Sequence, residues 1–375
     1  MPWQERRGAH GIDRDLQTSP RELTRGNFAV VGEDMAEHSD SPDLVFVHLS
    51  DIHFRKGRVG DAHDEDRVLR NELMLDLRRV LSRLPRLDGL LISGDIAFAG
   101  KQEEYAYGEN WIESVRELLG CGREAVMLTP GNHDMDRQLI PANGEVDLLQ
   151  SEIRDATTPQ EYDDRLAAAL RDENRGGILF VPLAAYNAFA KVYGCEVSPA
   201  RPFWERDFKL RDRTTVRFRG ITTTLLSGSR DNEQTHKMLY GGAQRAILRE
   251  PNVRYAIIGH HPPSWTIEGD IADQLFSTLA FLQVFGHVHT QWATRIGNSV
   301  RFIAGAVHPS RDELAWNPRY SAIAISAVDN RHLAIRIYPR RWSTEEIAFI
   351  PDFNSAGQDY RDYTVDVEPR GDLGS

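Results

Sequence analysis

The chain reads as an α/β fold, on three observations. First, five short apolar runs rich in β-formers each end in a polar motif: Leu44-Val45-Phe46-Val47, Leu90-Leu91-Ile92, Ala125-Val126-Met127-Leu128, Tyr255-Ala256-Ile257-Ile258 and Leu282-Gln283-Val284-Phe285. Runs of this length bounded by Gly mark buried strands. Second, helical patterns separate the first three runs, and this βαβ rhythm predicts parallel pairing with helices on the sheet faces. Third, the part from Val300 onward is strand-like, over Val300–Val307, Tyr320–Val328 and His332–Tyr338, which predicts further sheet.

Taken in order, residues 1 to 42 read as a flexible N-terminal tail, rich in charge, Ser, Gly and Pro and without sustained apolar periodicity. The body, residues 43–345, opens on the first strand. Asp66 to Leu84 then places Leu69, Leu73, Leu77, Val80, Leu81 and Leu84 on one stripe, an amphipathic helix. Gln102 to Leu119 is a second helix. Between Asp134 and Trp204, and above all over Pro159 to Val192, helix formers dominate with apolar spacing. This predicts a helical insertion, about 137–204, placed as a cap beside or over the edge that carries the polar motifs. Ile221–Leu226 reads as a strand that ends on the surface, and Gly241 to Arg249 as a turn into a short helix. Lys209-Leu210-Arg211-Asp212 and Val216-Arg217-Phe218-Arg219 alternate, so the many Arg between Arg201 and Arg219 are assigned to the wet side of strands. Residues 346–375 form a C-terminal extension.

The 375 residues, 41% hydrophobic, are enough for a substantial core. No run approaches the ~18–20 apolar residues of a membrane span, and Met1 to Arg7 carries charge with no apolar stretch behind it, unlike a secretory signal. Cys121 and Cys195 cannot build a disulfide framework, so a reducing cytoplasm is the expected location. A net charge of −11 speaks against a surface made to wrap duplex nucleic acid.

The polar motifs carry the chemistry. They are Asp51-Ile52-His53, Gly94-Asp95, Gly131-Asn132-His133-Asp134, Gly259-His260-His261 and Gly286-His287-Val288-His289. Ligand sites in open α/β sheets lie beyond the carboxyl ends of the strands, so the five motifs gather on one sheet edge. Gly-Asp alone marks turns everywhere; the ordered set is what is informative. Carboxylate, amide and imidazole donors suit Mn, Fe, Zn or Co, and the lack of Cys argues against a closed structural zinc site. The set is large enough for two ions. Two ions about 3.5–4 Å apart need a bridging carboxylate, and Asp95, alone in its motif, is the natural one.

These motifs, over residues 44 to 290, resemble the calcineurin-like metallophosphoesterase family, whose pattern is D-x-H, G-D, G-N-H-D/E, G-H and G-H-x-H. The resemblance implies a four-layer α/β/β/α sandwich and a dinuclear centre, with manganese favoured. It implies that Asp51, His53 and His289 hold one ion, that Asn132, His260 and His287 hold the other, and that Asp95 bridges. A hydroxide held between the ions would attack phosphorus in line. His133 would stabilise charge or protonate the leaving oxygen, with Asp134 orienting it from behind. Arg137 is a candidate for substrate contact, and His261 either contacts substrate or only supports its loop. His48 is expected to be packed and hydrogen-bonded, and His236 and His308, outside every motif, are taken as non-ligands.

Protein Ser/Thr phosphatases of this superfamily carry Gly-Asp-x-Val-Asp-Arg-Gly; here Gly94-Asp95-Ile96-Ala97-Phe98-Ala99-Gly100 lacks the Asp-Arg pair, which disfavours folded phosphoproteins as substrates. His48 to His53, Gly259-His260-His261-Pro262-Pro263 and Gly286 to Thr290 look most like the bacterial cyclic-nucleotide and glycerophosphodiester phosphodiesterase branch, and are shared with DNA-repair nucleases. The expected function is hydrolysis of nucleotide-type phosphodiesters. A DNA or RNA nuclease is the alternative within enzymes. A partner-gated regulatory or interaction module of a multi-protein bacterial system, docking through tail or cap, is the alternative of another class.

Overall fold

The strand and helix patterns fold as expected in the computed structural model, which describes residues 41–55, 64–84, 86–228, 230–232, 237–310 and 316–367. The expected tail up to residue 40, His236 and the last residues of the C-terminal extension lie outside the described residues.

The elements run β1 (Leu44–Leu49), α1 (Arg67–Leu81), β2 (Gly89–Ile92), α2 (Gln102–Leu119) and β3 (Val126–Leu128). The insertion follows as α3 (Leu139–Ala142), α4 (Gly144–Arg154), α5 (Pro159–Arg171), α6 (Glu173–Phe180) and α7 (Ala184–Ala190). Then come β4 (Phe203–Lys209), β5 (Thr215–Ile221), α8 (Gly242–Arg245), β6 (Val253–Ile258), α9 (Gly269–Leu279), β7 (Ala280–Phe285), β8 (Trp292–Ile296), β9 (Ser299–Ile303), β10 (Arg319–Ala327), β11 (His332–Ser343), β12 (Ala348–Pro351) and β13 (Arg361–Asp366).

Two sheets result. One has the order β12-β11-β10-β1-β2-β3, with β13 also paired to β11; the other runs β4-β5-β6-β7-β9-β8. The strands that carry motifs pair in parallel, β1 with β2, β2 with β3, and β6 with β7, so their carboxyl ends point one way. Segments beyond residue 345 supply β12 and β13, both antiparallel to β11.

The sheets pack face to face. Phe46 of β1 meets Phe218 of β5 and Phe208 of β4 edge-on, with ring centroids 4.9 and 5.0 Å apart. Outside the first sheet, α1 buries Leu69, Leu73, Leu77 and Val80, and α2 buries Tyr105, Ile112, Val115 and Leu119. Outside the second, Ala272 and Phe276 of α9 join a separate apolar cluster with Tyr240, Ile257 and Phe285. This is the helix–sheet–sheet–helix layering. Phe46 is fully buried between the sheets, so Phe46→Ala should cost about 3–5 kcal/mol of stability. Urea unfolding followed by circular dichroism checks this; an unchanged midpoint would contradict face-to-face packing at that position.

Three expectations are corrected. The strand expected over Ile221–Leu226 ends at Ile221. From Thr222 the chain leaves the sheet because the Gln244 side chain takes a strand's place: its Oε1 accepts from Thr222 N at 2.6 Å and its Nε2 donates to Thr222 O at 2.7 Å. Leu225, Leu226 and Ser227 are buried rather than on the surface. The helix expected to end near Arg249 stops at Arg245. Arg219, assigned to a wet strand face, is only 5% exposed. Its guanidinium donates to Glu205 (2.6 and 2.8 Å) and to the carbonyls of Gln244 and Ala246. The cause is topological, since the parallel part of a sheet is covered on both faces.

The insertion packs against the body through specific contacts. Tyr186 of α7 and Trp204 of β4 both donate to the Leu128 carbonyl, at 3.2 and 2.8 Å, and Gln150 of α4 donates to the Leu225 carbonyl at 3.0 Å. Cys121 and Cys195 are free and buried. Among the described residues no helix is long and apolar enough to cross a membrane.

Candidate metal centre

Each motif begins one to three residues past its strand, so the five turns meet above one edge of the two sheets. The turns are strained. Among the described residues, eight other than glycine have left-handed φ, and five of them are Asp51, His53 and Asp95 (each 54°), His287 (70°) and His289 (59°). Such conformations cost of order ~1–3 kcal/mol each and persist where the surroundings over-determine them, typically at functional sites. Gly94 (φ 97°) is a case where only glycine fits, because a Cβ there would stand 2.5 Å from His260 Nδ1.

The side chains converge. Four sets place one donor atom per residue within 4.8 Å of one another: Asp51, His53 and His289; Asp51, Asp95 and His260; His53, Asp95 and His133; and His260, His261 and His287. Shared members join these sets into one cluster. His289 Nε2 lies 3.1 Å from Asp51 Oδ1, His53 Nε2 3.2 Å from Asp95 Oδ2, and His260 Nε2 3.3 Å from the same oxygen. Asn132 Oδ1 is 3.1 Å from His287 Nδ1.

Each ring is turned by a partner behind it. His260 Nδ1 is 2.8 Å from the Ser93 carbonyl, which can only accept, so Nε2 faces the carboxylates. His53 Nδ1 is 3.4 Å from the His308 carbonyl. Ser50 Oγ donates to Asp51 Oδ2 at 2.6 Å.

The charges fit a cation. Burial pushes Asp51 and Asp95 upward, but the imidazoles reverse this: His289 and His260 hold Asp51 below the usual carboxylate range, and His260, His53 and His133 do the same for Asp95. Burial and the neighbouring His260 bring His287 down to about 3, and burial with His287 and His260 brings His261 well below its usual value. Both rings are therefore neutral, the form that binds metal. His260 goes the other way. Burial lowers it, yet Asp95, Asp51 and the Ser93 carbonyl carry it to about 9, so the pocket favours positive charge at that place. The buried Nε2 of His261 makes no hydrogen bond with any described residue, and that of His260 faces the Asp95 carboxylate at 3.3 Å. Imidazole nitrogens turned inward beside two buried carboxylates fit divalent metal.

The rim is partly basic and aromatic. Phe98 packs against His133 with centroids 5.2 Å apart, and Arg55 lies over the Phe98 ring at 3.8 Å. Arg137 Nη2 is 3.1 Å from His133 Nδ1. Trp265 meets His287 edge-on at 4.0 Å.

One site expectation is corrected. Asp134 makes no hydrogen bond to His133. Its buried carboxylate accepts from the backbone of Gly131, Ile96 and Ala97 and from Tyr105 Oη, while His133 Nδ1 lies 2.7 Å from the Phe98 carbonyl. His261, read as facing substrate or only supporting its loop, is fully buried, with Nδ1 2.6 Å from Thr223 Oγ1, the supporting place of the two. His48 is packed, with Nε2 2.9 Å from Ser93 Oγ. Sequence reasoning passed over Trp265 and Phe98, which no spacing marks, because they reach the site only through the fold.

A family model, calcineurin-like phosphoesterase, matches residues 44–291. The chain belongs to that family. It is 26% identical over 318 residues to YydB of Bacillus subtilis (strain 168), an uncharacterized metallophosphoesterase-like protein, covering 80% of this chain and 60% of YydB. It is 32% identical over 91 residues to the glycerophosphodiester phosphodiesterase GpdQ of Enterobacter lignolyticus (strain SCF1), covering 24% of this chain and 30% of GpdQ. Among solved structures it is similar to a Vps29 double mutant from Entamoeba histolytica, at 10% identity and a TM-score of 0.35, covering 87% of this chain and all 100% of that one. The chain spans less than two thirds of the length of either curated relative.

Proposed function

We propose that the chain hydrolyses phosphodiesters of nucleotide type with two metal ions, manganese favoured. The observation that carries this is the pair of buried carboxylates, Asp51 and Asp95, each within 4.8 Å of imidazole donors from separate strands. In this reading Asp51, His53 and His289 would hold one ion and Asn132, His260 and His287 the other, with Asp95 shared. Bound there, the ions supply Lewis acidity at phosphorus and a water of lowered pKa.

The protein's own residues do the rest. His133 donates a hydrogen bond from Nδ1 to the Phe98 carbonyl, and in its doubly protonated form it would pass the Nε2 proton to the departing oxygen, leaving the ring neutral. Burial, His53 and Arg137 lower its pKa, and Asp95 opposes them. Arg137, beside that ring, is placed to meet a phosphate oxygen. The diester preference is supported by the local similarity to GpdQ and by the missing Asp-Arg pair after Asp95.

The test is hydrolysis by manganese-reconstituted protein across an aryl diester, its monoester, cyclic nucleotides, and single- and double-stranded DNA. Small or cyclic diesters should be preferred. Preference for polynucleotides would replace this reading with a nuclease. Two bound metals with no turnover on any substrate would point instead to a partner-gated module.

A further inference from the structure

The loops that carry Asp95 and Asn132 are tied together by one side chain that touches neither. Asp134 is fully buried. Its Oδ2 accepts from Gly131 N at 2.8 Å, just before Asn132, and from Ile96 N at 3.2 Å, just after Asp95. Its Oδ1 accepts from Ala97 N at 2.9 Å and from Tyr105 Oη at 2.7 Å. The two turns press closely: His133 N donates to Asp95 Oδ1 at 2.8 Å, and a Cβ on Gly131 would overlap that same oxygen. The separation of Asp95 from Asn132 is thus set by how Asp134 lies.

Tyr105 decides how it lies. Three of the donors to Asp134 are backbone amides of the loops themselves, and only Tyr105 comes from outside them, on α2. Its ring is 3% exposed and stacks on Phe189 of α7, centroids 5.1 Å apart and planes 26° apart. Tyr186 of α7 meets the same ring edge-on at 6.4 Å. The insertion therefore reaches the centre through an aromatic contact and one hydroxyl.

We propose that Tyr105 is a positioning residue for the second ion, acting through Asp134 on the spacing of Asp95 and Asn132, with the insertion helix α7 as its support. This rests on the dinuclear reading above. Side chains one step removed from metal ligands typically change metal affinity by ~10–100-fold when altered, and the larger loss here falls on the second ion, which depends on both Asp95 and Asn132, whereas the first depends on Asp95 alone of the two.

The experiment is a manganese(II) titration of full-length wild type, Tyr105→Phe and Tyr320→Phe, followed by electron paramagnetic resonance. Tyr320 is the control. It makes the same kind of bond, a buried tyrosine hydroxyl 2.6 Å from buried Asp76, from strand β10 to another carboxylate. Wild type should bind two ions and show the spectrum of a spin-coupled pair. Tyr105→Phe should weaken the second ion by at least ~10-fold and leave an uncoupled six-line spectrum at equivalent loading, with thermal stability close to that of Tyr320→Phe. Tyr320→Phe should keep the coupled pair. Wild-type affinity and coupling in Tyr105→Phe would overturn the proposal, and so would equal weakening in Tyr320→Phe. A wild type that binds a single ion would sink the dinuclear reading itself, and this proposal with it.

Discussion

Asp95→Asn should abolish hydrolysis while leaving the fold intact. Asp95 is the carboxylate nearest to both His53 and His260, at 3.2 and 3.3 Å from the same oxygen, and an amide cannot supply its charge. Losing a residue that touches both ions should cost more than the ~10–100-fold typical of side chains one step away. The fold should hold because an amide of the same shape keeps an oxygen for the His133 backbone N–H, now bonded at 2.8 Å. It also removes one of two negative charges buried together with Asp134, whose carboxyl is pushed up to about 6 by burial and by Asp95. Turnover, metal content and the far-ultraviolet circular dichroism of the same preparation check all three points. Substantial retained turnover would remove Asp95 from the bridging role.

His133→Ala should lower turnover by ~10²–10⁴-fold, the range for a positioned proton donor, with two metals still bound. The structure sharpens the question because His133 also belongs to a set of donors with His53 and Asp95. As a ligand it would take metal with it when removed. As an acid it would leave the metal and lose the rate, most of all on diesters with a poor leaving group. The carbonyl of Phe98 on Nδ1 favours the acid, since it presents one nitrogen toward the open side. Metal analysis beside kcat separates the two.

Much of the site was legible because each motif sits where an apolar run ends. Runs as short as Leu90–Ile92 can be followed by a charged residue at no cost only where the strand leaves the core, so the run ends put Asp51, Asp95, Asn132, His260, His287 and His289 on one edge, and their roles came from the family resemblance. Helix Gln102–Leu119 was readable to its ends, closed by Gly120 in a left-handed conformation (φ 70°). Arg219 was misread for a definable reason. Alternating charge on a strand marks a wet face only if no helix lies over it, and local pattern cannot show that α8 and its following turn do. Asp134 was misread likewise, since its nearest residue in sequence, His133, is not its partner in space.

The sequence by itself determined the family, the strand ends, and therefore which residues meet. Parallel strands that all finish in polar turns have one edge on which to finish. Only the tertiary structure decided how those residues are turned. Ser93 behind His260, Thr223 behind His261, Phe98 behind His133 and Tyr105 behind Asp134 come from other turns and another helix, up to 167 positions away. A buried ring or carboxylate adopts the orientation that satisfies its hydrogen bonds, and those partners exist only once both sheets have closed.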